Sequence, residues 1–330
     1  MSVLVTGGAG YIGSHMVWAL VDAGEEVVVV DRLSTGFEWA VAPEAKFIRA
    51  DIADTEGLGA IIRDNGVDAI IHFAGSVVVP DSVSDPLGYY HNNTVNSLGL
   101  IRTAVECGVP HMVFSSTAAV YGTPATDAPV SEAATLTPES PYGVSKLMTE
   151  LMLRDTAAAH DFCYAALRYF NVAGADPRGR TGQSTRGATH LIKAATEAAL
   201  GKRDHIDVFG TDYPTRDGTC VRDYIHVTDL VAAHLKALAY LRAGGDSLVA
   251  NCGYGRGYSV LDVLDAVRRA HGADFDIRMA GRRPGDAVSV VADASKARDV
   301  LGWMPEHDNL DEIVESALAW ETGLSRRNQM

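Results

Sequence analysis

The sequence predicts a doubly wound α/β protein, on three observations. Short β-branched runs alternate with helix-length stretches through the first half, the first run leads straight into a cluster of glycines, and the runs are nearly unbroken in apolar character. Strands of that last kind are buried on both faces, the condition of a parallel sheet covered by helices on either side. The runs are 2–6, 26–31, 46–49, 68–73, 111–115 and 163–169, with helices between them, among which 92–107 and 141–159 carry broad apolar faces. After about residue 175 the rhythm changes to a Gly/Arg/Thr-rich stretch, 175–189, then a helix over 190–200 and further short elements. The expected organisation is a first domain over 1–175 and a smaller mixed α/β domain over 176–330, with 220–235 packing back on the first. The stretch 175–189 reads as a loop over the cleft between them, and the last residues, 323–330, as frayed.

Composition narrows the function. A chain of 330 residues, 47% hydrophobic and 21% charged, buries roughly three-quarters of its unfolded surface and needs no disulfide or structural metal. Lys and Arg number 28 against 42 Asp and Glu, a net charge of -14, and no basic stripe interrupts the acidity. Nucleic acid is therefore not an expected partner, since a phosphate backbone requires such a stripe. Cys107, Cys163, Cys220 and Cys252 are too far apart for a zinc or CxxC spacing, so no metal is expected. No basic leader precedes the first apolar run and no apolar stretch is long enough for a membrane, which makes the cytoplasm the expected compartment.

The glycines state a chemistry. Residues 2–6 run into Gly7, Gly8, Gly10 and Gly13, a helix follows to about Ala23, and the next strand ends on Asp31, 18 residues after Gly13. Such glycines permit a tight turn, close backbone approach to a pyrophosphate, and close helix-on-strand packing, with the helix N-terminus facing the anion. Asp31 is placed to accept from adenosine ribose hydroxyls and to repel a 2′-phosphate, so NAD is expected over NADP; Arg32 reads as a solvated neighbour. Asp51 and Ile52 follow the third strand, where the carboxylate either accepts from the adenine amino group or caps a helix. Phe73, Ala74 and Gly75 end the fourth strand on the edge where doubly wound sheets bind ligands.

A second constellation lies in 115–146. Ser140 is a good N-cap and Pro141 a good first helical residue, which puts Tyr142 and Lys146 four apart on one helix face. A lysine cation, helped by an oxidised nicotinamide, lowers the tyrosine pKa from its ordinary ~10 toward neutrality, so that the phenolate can take a proton from a sugar hydroxyl. Ser115, Ser116 and Thr117 end the preceding strand, where one of the three hydroxyls can bond the reacting oxygen.

With the surrounding words, the chain resembles the NAD-dependent nucleotide-sugar epimerases of the extended short-chain dehydrogenase/reductase superfamily, a Rossmann-fold group. The similar stretches are TGGAGYIGSH (6–15), HFAG (72–75), SSTAAVYG (115–122), SPYGVSK (140–146), LRYFNVAGA (167–175), DYPTRDGTCVRDYIHV (212–227), RRPGD (282–286) and VADASKA (291–297). The resemblance covers nearly the whole chain and implies interconversion of UDP-galactose and UDP-glucose by a homodimer, through a 4-keto intermediate with tightly held NAD. It implies NAD contacts from Gly7, Gly10, Tyr11, Ile12, Gly13, Asp31, Asp51, Ile52, Phe73, Ala74, Gly75, Asn92, Ser115, Lys146 and Phe170. Tyr142 is then the base and Thr117 its hydroxyl partner. Asn171, Leu191, Phe209, Arg222, Arg283 and Asp286 are then the UDP-sugar contacts, the two arginines supplying locally the positive charge that an acidic protein lacks.

Three positions depart from the family's pattern. Val77 stands where many members carry a lysine, and His190 where an Asn is usual. Val290 replaces a bulky Tyr that excludes N-acetylated sugars in some bacterial members, which leaves room beside the sugar C2 substituent. Related dehydratases carry an acid immediately after the active-site Thr; here Ala118 and Ala119 follow, which disfavours elimination of water. Decarboxylation, pentose epimerisation and a catalytically idle NAD(H)-binding regulator are the competing readings, the last disfavoured because both Tyr142 and Lys146 are kept.

Overall fold

The computed structural model describes residues 1–124, 126, 128–283 and 286–327. Its strands are β1 (Ser2–Thr6), β2 (Glu26–Asp31), β3 (Lys46–Arg49), β4 (Val67–His72), β5 (His111–Ser115), β6 (Cys163–Tyr169), β7 (Asn171–Ala173), β8 (Ile206–Phe209), β9 (Val221–His226), β10 (Leu248–Cys252), β11 (Gly257–Ser259), β12 (Ile277–Ala280) and β13 (Ser289–Val290). Its α-helices are α1 (Tyr11–Asp22), α2 (Thr55–Asp64), α3 (Val79–Ser84), α4 (Pro86–Tyr89), α5 (Asn96–Glu106), α6 (Pro141–Ala159), α7 (Leu191–Ala199), α8 (Val227–Arg242), α9 (Val260–His271), α10 (Ser295–Leu301) and α11 (Leu310–Arg327).

Seven strands pair in parallel in the order β10-β6-β5-β4-β1-β2-β3. Strand residues alternate between two apolar layers, which is why the runs look continuous in the sequence. Leu4, Ile70 and Met112 join Leu100 of α5 and Leu153 of α6 on one face. Val5, Ile71 and Val113 join Met16 and Val17 of α1 and Leu230 of α8 on the other. The strand order reverses between β1 and β4, and their carboxyl ends open the crevice in which such sheets bind dinucleotides.

The second half of the chain divides between this sheet and a smaller assembly. β10 is the sheet's seventh strand, and α8 packs on α1, β5 and β6. β9 pairs with β7, β11 and β13, while β8 pairs with β12.

The stretch 92–107 is not one regular helix. Residues Tyr90–Val95 wind as a wider π turn and α5 begins only at Asn96. Tertiary hydrogen bonds account for the widening. Asn93 Oδ1 accepts from the Ser76 N–H at 2.7 Å, and its Nδ2 donates to Ser76 O and Ser145 Oγ at 2.9 and 3.0 Å. Helix periodicity cannot register partners so distant in sequence.

Candidate active site

The glycine turn is built so that only glycine fits it. Gly7 lies at φ +73°, and a Cβ there would stand 2.6 Å from the Ala74 nitrogen. At Gly13 a Cβ would stand 2.1 Å from the Gly7 carbonyl oxygen, so helix and turn touch through backbone alone. Gly10 is the extended N-cap of α1, and no side chain caps the helix. The first-turn N–H groups and the positive end of the dipole are thus free for an anion, which fits the residues present to a dinucleotide pyrophosphate. Ile12 lies in that first turn, and Tyr11 beside it donates its hydroxyl to the Gly174 carbonyl at 2.7 Å.

At the adenosine end, the Asp31 oxygens accept the Ala9 and Leu33 N–H groups at 3.0 and 2.7 Å, which orients the carboxylate and leaves each oxygen a further lone pair. Leu33 has a left-handed φ of 61°, a local strain held in place by that bond. Arg32 is not merely solvated beside Asp31; its Nη1 donates to Asp51 Oδ2 at 3.0 Å. Partial burial pushes the Asp51 pKa up, but the Ala53 N–H and Arg32 outweigh it and hold the carboxyl below its usual range. The helix-cap alternative for Asp51 fails, because Asp54 caps α2 by accepting from Gly57 N–H. Ile52 beside it is buried.

β4 ends at His72, one residue before the sequence limit. Phe73 and Ala74 then both donate their N–H groups to the Thr6 carbonyl, at 3.0 and 3.1 Å, which folds HFAG against the glycine turn. Gly75 sits where a Cβ would lie 3.8 Å from Lys146 Nζ. Asn92, inside the π turn, donates from Nδ2 to Ser76 Oγ at 2.9 Å.

Ser140 caps α6 by accepting from Gly143 N–H at 3.2 Å, and Tyr142 and Lys146 are both buried one turn apart. Lys146 Nζ donates to the Ser115 carbonyl at 3.0 Å and lies 4.9 Å from the Phe114 ring centroid. Burial lowers its pKa to about 8, against the opposing charge of Glu150. Burial raises the Tyr142 phenol well above its ordinary value, Tyr169 adds to the rise, and a hydrogen bond with Thr117 opposes it. Lys146 does not by itself bring the phenol to neutrality, because desolvation dominates and the ammonium is anchored on Ser115.

The three neighbouring hydroxyls are divided by the fold. Ser115 Oγ donates to Tyr169 OH at 2.8 Å, and Ser116 Oγ donates to Glu150 Oε1 at 2.5 Å. Thr117 accepts the Ala119 N–H at 3.1 Å and is the one of the three whose hydroxyl draws the Tyr142 pKa down. Tyr169, Glu150 and Asn93 were not singled out from the sequence. Glu150 had a signal, since it continues the Tyr142–Lys146 stripe by another four residues; Tyr169 and Asn93 had none.

The substrate candidates form two groups. Arg283 Nε donates to Asp286 Oδ2 at 3.0 Å, and its guanidinium lies 4.5 Å from the Phe209 ring centroid. Of RRPGD, Pro284 and Gly285 lie outside the described residues. Asn171 and Arg222 belong to neighbouring strands, where Asn171 pairs in register with Tyr224 and Val290 with Arg222. Arg222 donates to the Val221 carbonyl at 2.8 Å. A pocket open to solvent is lined by Asn171, His190 and Leu191, with Tyr11 and Trp320 also on its wall. His190 is the N-cap of α7 without a side-chain capping bond. Phe170 is buried between β6 and β7, and Val77, in the position that elsewhere holds a lysine, is exposed.

Comparison with known proteins agrees with this geometry. Residues 3–253 match the NAD dependent epimerase/dehydratase family, and the chain belongs to it. It is 55% identical over 324 residues to a UDP-glucose 4-epimerase of Azospirillum brasilense, covering 98% of this chain and 93% of the relative. Among solved structures, a UDP-glucose 4-epimerase from Stenotrophomonas maltophila with bound NAD and formylated UDP-arabinopyranose superposes with a TM-score of 0.95 at 39% identity, covering 99% of each chain. The UDP-Glc/GlcNAc 4-epimerase of Campylobacter jejuni superposes with a TM-score of 0.85 at 46% identity, covering 97% of this chain and 99% of that one.

Proposed function

We propose that this member of the epimerase/dehydratase family interconverts UDP-galactose and UDP-glucose by inverting the sugar at C4. The observation that carries the reading is the buried Tyr142–Thr117 hydroxyl pair, one helical turn from Lys146, at the carboxyl edge of the sheet beside the glycine turn. NAD, when bound, supplies the acceptor and later the donor of the C4 hydride, and its oxidised nicotinamide supplies positive charge beside Tyr142. Tyr142 takes the O4 proton and returns it to O4 after the sugar has turned its other face to the hydride donor; Thr117 holds O4 by hydrogen bonding; Lys146 orients the cofactor ribose and supports the phenolate. Arg222 and Arg283 neutralise the diphosphate, Asp286 orients Arg283, and Phe209, Asn171 and Leu191 bound the nucleotide. A hold on the nucleotide alone leaves the 4-keto sugar free to turn over between the two hydride transfers.

Asp31, Asp51 and Ile52 bind the adenosine, Gly7, Gly10, Tyr11, Ile12 and Gly13 the pyrophosphate, and Phe73, Ala74, Gly75, Asn92, Ser115 and Phe170 the nicotinamide half. Residues 1–175 form the cofactor domain and 176–330 mainly the substrate domain. Val290, in register with Arg222, leaves the space that admits N-acetylated UDP-hexosamines as second substrates.

Exposed Val95 and Leu98 on one side and Met148 and Leu151 of α6 on the other form an apolar face that a second copy covers, so the working unit is a homodimer. Among the described residues no helix is long and apolar enough to cross a membrane, and the four cysteines are unpaired, as suits a reducing cytoplasm. The test incubates the purified protein, without added NAD, with UDP-galactose and separately with UDP-N-acetylgalactosamine, resolving products by chromatography. Appearance of the C4 epimers supports the reading, and absence of both even with NAD supplied overturns it.

A further inference from the structure

The stretch 175–189 is fastened far more heavily than a surface connection needs. On the side of the phosphate-binding helix, Thr181 Oγ1 and Ser14 Oγ are hydrogen-bonded at 2.7 Å in a buried contact. Arg180 spans Asp176 and Asp22 at 2.8 and 2.9 Å, with its guanidinium 4.6 Å from the Trp18 ring centroid. On the side of α11, Trp320 Nε1 donates to Ser184 Oγ at 3.3 Å, and Arg327 donates to the Arg180 carbonyl at 3.2 Å and to the Gly179 carbonyl. Gly182 lies flat on Trp320, where a Cβ would stand 2.5 Å from the indole. Trp320 stacks on Trp39, which in turn meets Phe37, whose N–H donates to the carbonyl of Ala9 in the glycine turn at 2.9 Å.

The fastened segment faces the place assigned to the pyrophosphate. Gly182 and Thr185 on one side, and Gly10, Tyr11, Thr35 and Phe37 on the other, line a small pocket open to solvent. We infer that the segment from Gly179 to Thr185, clamped at its start by Arg327 and at its end by Trp320 of α11, is a further wall of the dinucleotide site and sets how slowly NAD(H) leaves. The inference rests on the reading of NAD as resident cofactor and adds the C-terminal helix to the parts that retain it. Retention matters here because the cofactor is regenerated at every turnover, so a closed wall costs the reaction nothing, whereas a dehydrogenase that exchanges its cofactor needs this wall to open.

Holoprotein is purified and incubated with excess radiolabelled NAD, and the uptake of label is followed after rapid desalting, for the wild type, Arg327→Ala, Arg327→Ala with Ser184→Ala, and Arg326→Ala as control. Arg326 is exposed at the end of the same helix. Exchange is expected to be about tenfold faster in the first two variants and at the wild-type rate in the control, with melting temperature and the KM for UDP-galactose unchanged. A purely structural clamp would move the melting temperature and leave the exchange rate alone. Exchange within about twofold of wild type in Arg327→Ala overturns the inference, and that single variant decides the matter if the double one fails to fold. A wild-type protein that neither carries NAD nor takes up label overturns the underlying NAD reading, a different and recognisable failure.

Discussion

The side of the crevice proposed for the cofactor and the side proposed for the substrate are built on opposite plans. The first is made of backbone and buried groups: glycines whose Cβ atoms would collide, a lysine and a tyrosine shut away from water, and a loop clamped over the phosphate turn. The second is made of half-open charged side chains, such as the Arg283–Asp286 pair at 49% and 21% side-chain exposure and the Phe209 ring under it. The contrast matches the proposed chemistry, in which one ligand stays for many turnovers and the other arrives and leaves in each. Preorganised backbone suits the resident, and screened, reorientable charge suits the visitor.

That contrast breaks in a definite order. Tyr142→Phe keeps the packing and removes the proton acceptor, so the epimerisation rate is expected to fall by ~10³-fold or more while NAD content is unchanged; steady-state kinetics and cofactor release on denaturation read both. Gly13→Ala drives a Cβ into the Gly7 carbonyl and is expected to cost about 3 kcal/mol in urea unfolding, with NAD lost during purification. Arg283→Ala is expected to raise the KM for UDP-galactose by ~10- to 100-fold and to leave stability within about 0.5 kcal/mol, because a partly exposed ion pair holds ligand rather than fold. A large loss of stability there, or no change in KM, would erase the distinction between the two sides.

The smallest effect is the sharpest test of burial on the cofactor side. The folded pKa of Lys146, about 8, lies below the unfolded ~10.4, so the unfolded chain binds more protons between those values and stability rises with pH across that window. Below pH 8 the buried ammonium is a liability. Lys146→Met is therefore expected to be more stable than the parent at pH 7 by ~1–2 kcal/mol, an advantage that shrinks as the pH rises past 8. An advantage that does not change with pH would show that the charge of Lys146 is not what the fold resists.

Much of this is legible in the sequence. The parallel sheet, the glycine turn and the Tyr142–Lys146 stripe all follow from short-range rules: strand period and apolar content, the steric freedom of Gly7 at positive φ, and the four-residue helical repeat after a Ser-Pro start. The sequence also placed candidates for the base and for the diphosphate arginines, because those residue types lie inside recognisable words.

What it left open was decided between segments remote in the chain. By side-chain chemistry three hydroxyls stood as equals at 115–117, with only the resemblance favouring Thr117; in the fold Tyr169 takes the first, Glu150 the second, and Thr117 is left for Tyr142. Asp51 could have capped a helix until Asp54 did so and Arg32 turned to meet it. The π turn over Tyr90–Val95 and the pinning of 175–189 depend on Ser76, Ser145, Trp320 and Arg327, partners up to 148 residues away in the contacts that hold them. By itself the sequence determined which chemistry was present, because backbone freedom and side-chain type are local properties. Only the tertiary structure decided which group was free to act, because a hydrogen bond claimed by a distant partner removes a donor or acceptor, and burial sets the cost of charge at the groups that remain.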